Sequence, residues 1–538
     1  MKKFSMKTTS IIIALVLALS VLSGCGASSD KGETGTAATT AAGTTVKATE
    51  SKAEPSKLDT SKTVELKIFA IADAPRNQKL ADTYFVELNK KLMEKLNCTV
   101  KFTYASGNDY QNNYQLVMAS GEKYDLIHSG SWLNYTTNAI KGAFMPLDKL
   151  IPVYCPDVNT MVDQARWNGV KVKGQIFGIP TLKKSYVEPS FMYREDLRLK
   201  YKTPEITSLD SIEAYLQAIK DNEPSLLPSD DYQSQVYGTS FIYTTKYQIV
   251  DSSNDRHSNF VMDPKNPRKV LSTIETPEYK EYMKLMKKWA DKGFWPKSVL
   301  SNIEWGVFSV MNGKAAASFN AQMLNYAWHA VQLEKDHPDW KIGYFLYSDL
   351  NPDSVVTGQN ATSNMASVTR TAENPERALM LVNLIQTDEE LWNFVTYGTE
   401  GVNFKLTDGK IDTSDIDTTV DGFNYFPASL FDNAKFFKPN FDQWPRYGEY
   451  ESKLKARTRD NMLAGYVFDV SAIEAEYTAV NQVRIEYGFP LQAGLVNDVD
   501  KAYGDFVKRS KDVGLEKCRA EVERQLNEFF DATGQDKQ

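Results

Sequence analysis

Histidine is scarce in this chain. Its 538 residues include four, His128, His257, His329 and His337. None belongs to an HExxH motif or stands four residues from another, and neither a GxSxG elbow nor a P-loop is present. Metalloprotease, serine hydrolase and nucleoside-triphosphatase chemistry thus lack their usual residues. Cysteine is equally rare, with four residues and no CxxC pair, which argues against a structural zinc or a disulfide framework. Basic charge does not dominate: the formal net charge is −7, so nucleic acid is not an expected partner. Asp415, Asp417 and Asp421 gather in one loop, but their spacing does not fit a D-x-D-x-D-G calcium loop. No metal and no cofactor are expected. Pairs such as Asp230-Asp231 and Glu389-Glu390 read as caps or surface charge. A glycosidase needs two carboxylates at a set separation, which order along a chain does not give. An enzyme is left without support. Long apolar runs are also missing. Outside Ile11 to Leu22, nothing approaches the ~18 consecutive apolar residues of a membrane span.

What the chain does have is aromatics, with 28 Tyr, 26 Phe and 9 Trp. Most are expected in cores, and the remainder suit surfaces that stack flat ligands. At the N-terminus, Lys2, Lys3 and Lys7 precede the apolar run, and Leu22-Ser-Gly-Cys25 follows it, the layout of a secretory signal. The Leu-Ser-Gly-Cys tetrad resembles a bacterial lipobox. That resemblance implies cleavage before Cys25, its diacylation, and anchoring through lipid alone. Residues 30–62 are mostly Ser, Thr, Ala, Gly and Lys, bury too little apolar surface to fold, and read as a tether.

The stretch from Tyr124 to Leu150 organises the first folded part. Tyr124-Asp-Leu-Ile-His128 reads as a buried strand, Ser129, Gly130 and Ser131 break it, and Trp132, Asn134 and Tyr135 follow where a helix begins. A strand that stops at small residues and opens a helix puts free N–H groups and side chains at the carboxyl edge of a sheet, where open α/β folds bind ligands. Strands at 63–70 and 98–104, with helical spacing over 82–96 and 109–120, predict βαβ units and a parallel sheet. Further on, a strand is expected over 187–193, helices after Thr207, Thr276, Glu373 and Thr387, and long helical patterns over 471–487 and 505–530.

Several motifs then fall in one order: the lipobox and tether, Tyr124-Asp-Leu-Ile with Trp132, Lys141-Gly-Ala-Phe-Met-Pro-Leu147, Gly178-Ile-Pro180 and Tyr193-Arg-Glu-Asp-Leu197. Gly313-Lys-Ala-Ala-Ala, Tyr397-Gly-Thr-Glu-Gly401 and Gly465-Tyr-Val-Phe-Asp469 follow. Together they resemble the extracellular solute-binding proteins of ABC importers, in the carbohydrate-type branch of large Gram-positive lipoproteins with a C-terminal extension. The resemblance implies a two-lobed α/β fold, periplasmic-binding-protein-like (type II), with hinge crossings. It also implies a monomer on the extracellular face of the cytoplasmic membrane, a sugar or oligosaccharide ligand and a permease partner. The segments read as signal peptide 1–24, tether 25–62, N-terminal lobe 63–181, C-terminal lobe 182–312, a return to the N-terminal lobe 313–372, the C-terminal lobe again 373–490 and an extension 491–538.

A sugar offers hydroxyls, which need two-sided polar partners, and C–H faces, which stack on aromatic rings. Loops with that mixture carry the candidate ligand residues. They are Ser131, Trp132, Asn134 and Tyr135; Lys183 and Tyr186 after Pro180; Glu304 and Trp305; Asn320 and Gln322; Asn360 and Asn364; and Trp444. No catalytic residue is assigned. The alternatives are a secreted carbohydrate-active enzyme and a peptide-binding surface lipoprotein.

Overall fold

Alternating apolar residues over Val64–Ile71 build a strand, β1, that buries Leu66, Ile68 and Ala70 completely. The computed structural model describes residues 60–537 except 73, 106, 184–188, 232–245, 252–257, 303–304, 323–326, 352–353, 355, 358–360, 418–421, 424, 441 and 460. Ten more strands place the site: β2 (Cys98–Ala105), β3 (Leu126–Ser129), β4 (Ile179–Pro180), β5 (Pro189–Arg194), β6 (Leu227–Ser229), β7 (Ala315–Gln322), β8 (Ile342–Leu346), β9 (Val356–Thr357), β10 (Met365–Val368) and β11 (Thr458–Arg459).

The first sheet has the order β2-β1-β3-β10-β4. Its first three strands are parallel, as the βαβ spacing predicts. The helix Gln78–Leu96 covers it with Ala81, Tyr84, Leu88, Leu92 and Leu96, one stripe at helical spacing, capped by the Asn77 side chain. Strand β10 runs antiparallel to both β3 and β4. The second sheet has the order β8-β5-β7-β6, with β5 antiparallel to its neighbours and β7 parallel to β6.

Both sheets turn the same kind of edge toward the connections. In the first, Ser129, Pro180 and the start of β10 share one edge, because Met365 pairs with Ser129 and with Pro180. In the second, Gln322 pairs with Pro189 and Leu346 with Ser190, so the ends of β7 and β8 lie at the start of β5. The chain therefore leaves the first edge at Pro180 and reaches the second at Pro189. It leaves the second at Leu346 and reaches the first at Met365. A parallel pairing of β9 with β11 adds a further link between distant segments.

Two segment boundaries differ from expectation. The segment 313–372 does not return to the first lobe as a whole: β7 and β8 belong to the second sheet, and the return begins only at β10. The small residues of β7, Ala315 to Ala317, fit under the helix Gly306–Met311 without recording in sequence which sheet they join. Segment 373–490 is likewise divided. Helices Pro375–Thr387 and Glu389–Tyr397, with Tyr425 to Phe436, complete the first lobe's core. The chain is back on the second lobe at Trp444, Tyr450 and Leu454.

Local signals behave as their chemistry dictates. The helix Leu209–Asn222 opens with a reciprocal Ser208–Ser211 capping box, one residue later than the Thr207 reading. Pro277 opens the helix Pro277–Asp291, and Gly293 follows with a left-handed φ of 74°. The C-terminal pattern resolves into helices Glu474–Val483, Val499–Asp512 and Leu515–Thr533. Leu515, Cys518, Val522, Leu526 and Phe530 line one face of the last helix and are buried in the second lobe's core. The extension is thus part of that lobe's core. Cys98, Cys155 and Cys518 are buried free thiols. Among the described residues, no helix is long and apolar enough to cross a membrane.

The core role of the last helix makes a stability prediction. Leu526→Ala removes a fully buried side chain and is expected to cost about 3 kcal/mol. In calorimetry this lowers the unfolding temperature of the second lobe; an unchanged melt would place the helix outside that core.

Candidate functional site

On the first lobe, β3 stops at Ser129, whose hydroxyl lies 2.6 Å from Ser367 Oγ. Gly130 follows in an extended conformation. A Cβ there would meet the Ser363 carbonyl at 2.6 Å and the Trp132 indole nitrogen at 2.7 Å, so the close approach requires glycine. Ser131–Leu133 form one 3-10 turn, closed by Asn134 at a left-handed φ of 56°. The Ser131 N–H donates to the Thr362 carbonyl at 2.7 Å, and the Trp132 indole N–H donates to the Ser363 carbonyl at 2.9 Å. Beneath them, His128 is buried, and its neutral ring donates from Nε2 to Asn364 Oδ1 at 2.9 Å. Its ring meets Trp132 edge-on, with centroids 5.8 Å apart. Burial drives the His128 pKa down to about 4, against the opposing hydrogen bond to Asn364.

On the second lobe, Asp231 anchors the matching edge. Its carboxylate accepts from Ser318 Oγ at 2.6 Å, the Phe319 N–H at 2.6 Å and Ser229 Oγ at 3.0 Å. Gly306 lies against it: a Cβ there would stand 1.6 Å from Asp231 Oδ1. Burial raises the Asp231 pKa to about 6 despite these donors. Above it, Trp305 donates its indole N–H to the Asn320 carbonyl at 2.8 Å. Buried His329 sits 5.8 Å from the Trp305 ring and 5.8 Å from Phe308, both edge-on. Trp328 lies over the same imidazole at 3.8 Å and is 54% exposed.

These positions sort the residues expected from sequence. Ser131, Trp132, Asn134 and Asn364 come together at the first edge, and Trp305 and Asn320 at the second. Lys183 lies where the first crossing begins, with Nζ 4.6 Å over the Phe437 ring and 3.8 Å from Asp432. Tyr135 leaves the candidate site: its ring is buried, its hydroxyl donates to the Val170 carbonyl at 2.7 Å, and that hydroxyl accepts from the Phe177 N–H at 3.2 Å. Trp444 also leaves it, buried edge-on against Tyr344 at 5.2 Å. Tyr186, Glu304, Asn360 and Cys25 lie outside the described residues, as does the side chain of Gln322. Sequence reasoning did not select His128, Ser363 or Trp328. The signal for Trp328 was an aromatic residue at a helix start just beyond a strand's carboxyl edge, the same signal that selects Trp132.

The two edges share one chemical feature. Trp132 and Trp305 have each committed their N–H to a protein carbonyl. Both indoles are half-buried.

The family described as bacterial extracellular solute-binding protein matches residues 87–402, more than half of the chain. The chain belongs to this family. Its members are described as extracellular solute-binding proteins. A second match, to a domain of unknown function, covers residues 462–531. A carbohydrate ABC transporter substrate-binding protein of Streptococcus pneumoniae serotype 4 is 24% identical over 86% of this chain and 91% of its own length. The fold is similar to that of the N-glycan transport solute binding protein NgtS of Streptococcus pneumoniae, with a TM-score of 0.72, 24% identity, and 87% of this chain and 99% of that one covered. NgtS has also been solved with Man1GlcNAc and Man5GlcNAc. A human-milk-oligosaccharide-binding solute binding protein of Bifidobacterium longum infantis is similar at a TM-score of 0.62 and 14% identity, over 86% of this chain and 99% of that one.

The two buried titrating groups carry opposite pH signatures. His128 has a folded pKa below its unfolded value, so its contribution is present above about pH 6.5 and is lost as pH falls through about 4. Asp231 has a folded pKa above its unfolded value, so its contribution is present below about pH 4 and is lost as pH rises through about 6. Relative to the parent protein, His128→Asn should gain stability at pH 4 over pH 7, and Asp231→Asn should gain it at pH 7 over pH 4. Each difference is at most about 3 kcal/mol. Chemical denaturation across that range checks both signs, and parallel curves for all three proteins would contradict them.

Proposed function

We propose that the protein is a receptor that captures an oligosaccharide between its two lobes and delivers it to the permease of an ABC importer. It acts as a monomer held to the outer face of the cytoplasmic membrane by lipid on Cys25. The observation that carries this reading is the pair of half-buried indoles at the two edges, each held by its N–H on a carbonyl, with the exposed ring of Trp328 in the second cluster. Ring faces suit the C–H faces of pyranoses. Peptide capture at a sheet edge would instead call for unpaired backbone groups.

Trp328 extends the second platform. It is the most exposed ring of the Trp305–Phe308–Trp328–His329 cluster, and the imidazole beneath fixes its orientation. The exposed Asn134 and the half-exposed Ser131 lie close in sequence to Trp132 and supply polar groups for hydroxyls. The carbohydrate-binding names of the relatives support the same class of ligand. No catalytic role is proposed, because His128 and Asp231 are both buried and engaged in holding structure.

The test is a thermal-shift and calorimetric titration with Man1GlcNAc and Man5GlcNAc, beside a peptide mixture and an unrelated disaccharide. Ligand at a hundred times its Kd should add about 2.7 kcal/mol of stability. Trp132→Ala and Trp328→Ala should each weaken binding at least about fivefold, with far-ultraviolet dichroism unchanged. An oligosaccharide recovered intact after long incubation supports a receptor, and its cleavage would favour the enzyme. A shift with peptides alone would overturn the carbohydrate reading.

A further inference from the structure

The C-terminal segment matched to a domain of unknown function has a place in the working of this site. Its helix Leu515–Thr533 is rooted in the second lobe's core. The loop that opens the segment, residues 461–469, is fixed to that last helix and the residues just beyond it. Gln525 clamps Asp469 from both sides: Oε1 accepts the Asp469 N–H at 2.9 Å, and Nε2 donates to the Asp469 carbonyl at 2.8 Å. Tyr466 packs edge-on against Phe529 at 5.5 Å, and Gln535 donates to the Ala464 carbonyl at 3.2 Å. Loop and helix therefore move as one piece with the second lobe.

The outer side of this loop meets the first lobe. Gly465 has a left-handed φ of 87°, and a Cβ there would stand 2.8 Å from the Asn168 carbonyl and 3.6 Å from the Gly169 nitrogen. Asn168 and Gly169 end the helix Gln164–Gly169, which is tied into the first core through Trp167. Gly169 in turn packs beside Ala361, and Thr362 and Ser363 just beyond hold Ser131 and Trp132. Lys173, at the turn between Lys171–Val172 and Gln175–Ile176, reaches across to Asp469 at 3.5 Å. Both partners of that ion pair are solvated, with side-chain exposures of 64% and 34%.

We propose that loop 461–469 is a stop against which the first lobe seats, so that the C-terminal segment sets how far the solute cleft opens. The proposal rests on the two-lobed receptor reading. The contact has the properties such a stop needs. It joins two bodies with separate cores, it lies beside the β9–β11 crossing, and it abuts the wall that carries Trp132. Among the described residues its polar part includes the exposed Lys173–Asp469 ion pair, weak enough to make and break within the small free-energy gap between lobe positions.

Two perturbations test it without any ligand. Gly465→Val drives a side chain into the Asn168 carbonyl and should change the radius of gyration of the ligand-free full chain in small-angle X-ray scattering. Lys173→Glu should shift it the same way, and Lys173→Glu with Asp469→Lys should shift it back. If Gly465→Val fails to fold, as a lowered melting temperature would reveal, the charge exchange decides alone. Scattering profiles that superimpose on the parent's for the folded variants would overturn the proposal. In a second arm, affinity for Man5GlcNAc should change about twofold to fivefold in the variants whose scattering shifts. Failure of the parent to bind Man5GlcNAc would count against the carbohydrate reading and leave the scattering result to judge the stop.

Discussion

Trp132 donates its indole N–H to a carbonyl 231 residues further along the chain. The first wall of the site exists because β10 arrives from the second lobe and inserts antiparallel beside β3. That insertion delivers Thr362, Ser363 and Asn364 to Ser131, Trp132 and His128 in turn. The second wall has the same construction with a shorter reach: Asp231, just past β6, holds the backbone and hydroxyl of β7, and the resulting turn of β7 presents Asn320 to Trp305. In each wall a buried polar group fixes a backbone, and the backbone fixes an indole. Buried groups of this kind are costly when unpaired, so they favour one register over its neighbours.

The glycines follow from that constraint. Gly130 and Gly306 adopt no unusual conformation, and each is needed for what a Cβ would strike: the Ser363 carbonyl in one wall and the Asp231 carboxylate in the other. They mark where the backbone must pass closest to the polar group that holds it. Gly465 is a different case, where a left-handed backbone and a close approach to the other lobe coincide. All three stand at the contacts between segments from distant parts of the chain.

Much of the first lobe was legible in sequence because it is local. β1, β2 and β3 alternate or run apolar, the intervening helices have helical spacing, and Gly130 with Ser131 ends β3 where the composition says it should. The crossing after Pro180 was legible for the same reason. The return crossing was not. Ala315 to Phe319 is a run of small residues before an aromatic, and such a strand carries no mark of the sheet it joins; the choice is made by Asp231 and by pairing with β5. Tyr135 and Trp444 misled in a common way. Each lies among polar or irregular residues, yet its partners, Val170 and Phe177 for one and Tyr344 for the other, come from elements distant in sequence. Trp328 was overlooked because its support, His329, was read only as one of four histidines outside any catalytic motif.

The same long-range contacts bear on the choice between capture and catalysis. A general acid or base must reach the proton it moves, whereas His128 and Asp231 are buried, His128 Nε2 donating to Asn364 and the Asp231 carboxylate accepting from Ser318, Phe319 and Ser229. Their shifted pKa values come first from burial, a structural cause. The exposed groups beside the walls include the uncharged Trp328 ring and Asn134 amide. Single stacking contacts of this kind are each worth on the order of 1 kcal/mol, less than the few kcal/mol that separate two lobe positions. One wall alone would bind weakly and move nothing. Contacts from both walls, made at once, are what could shift the lobes, and the two crossings between like edges are what put the walls on the same side.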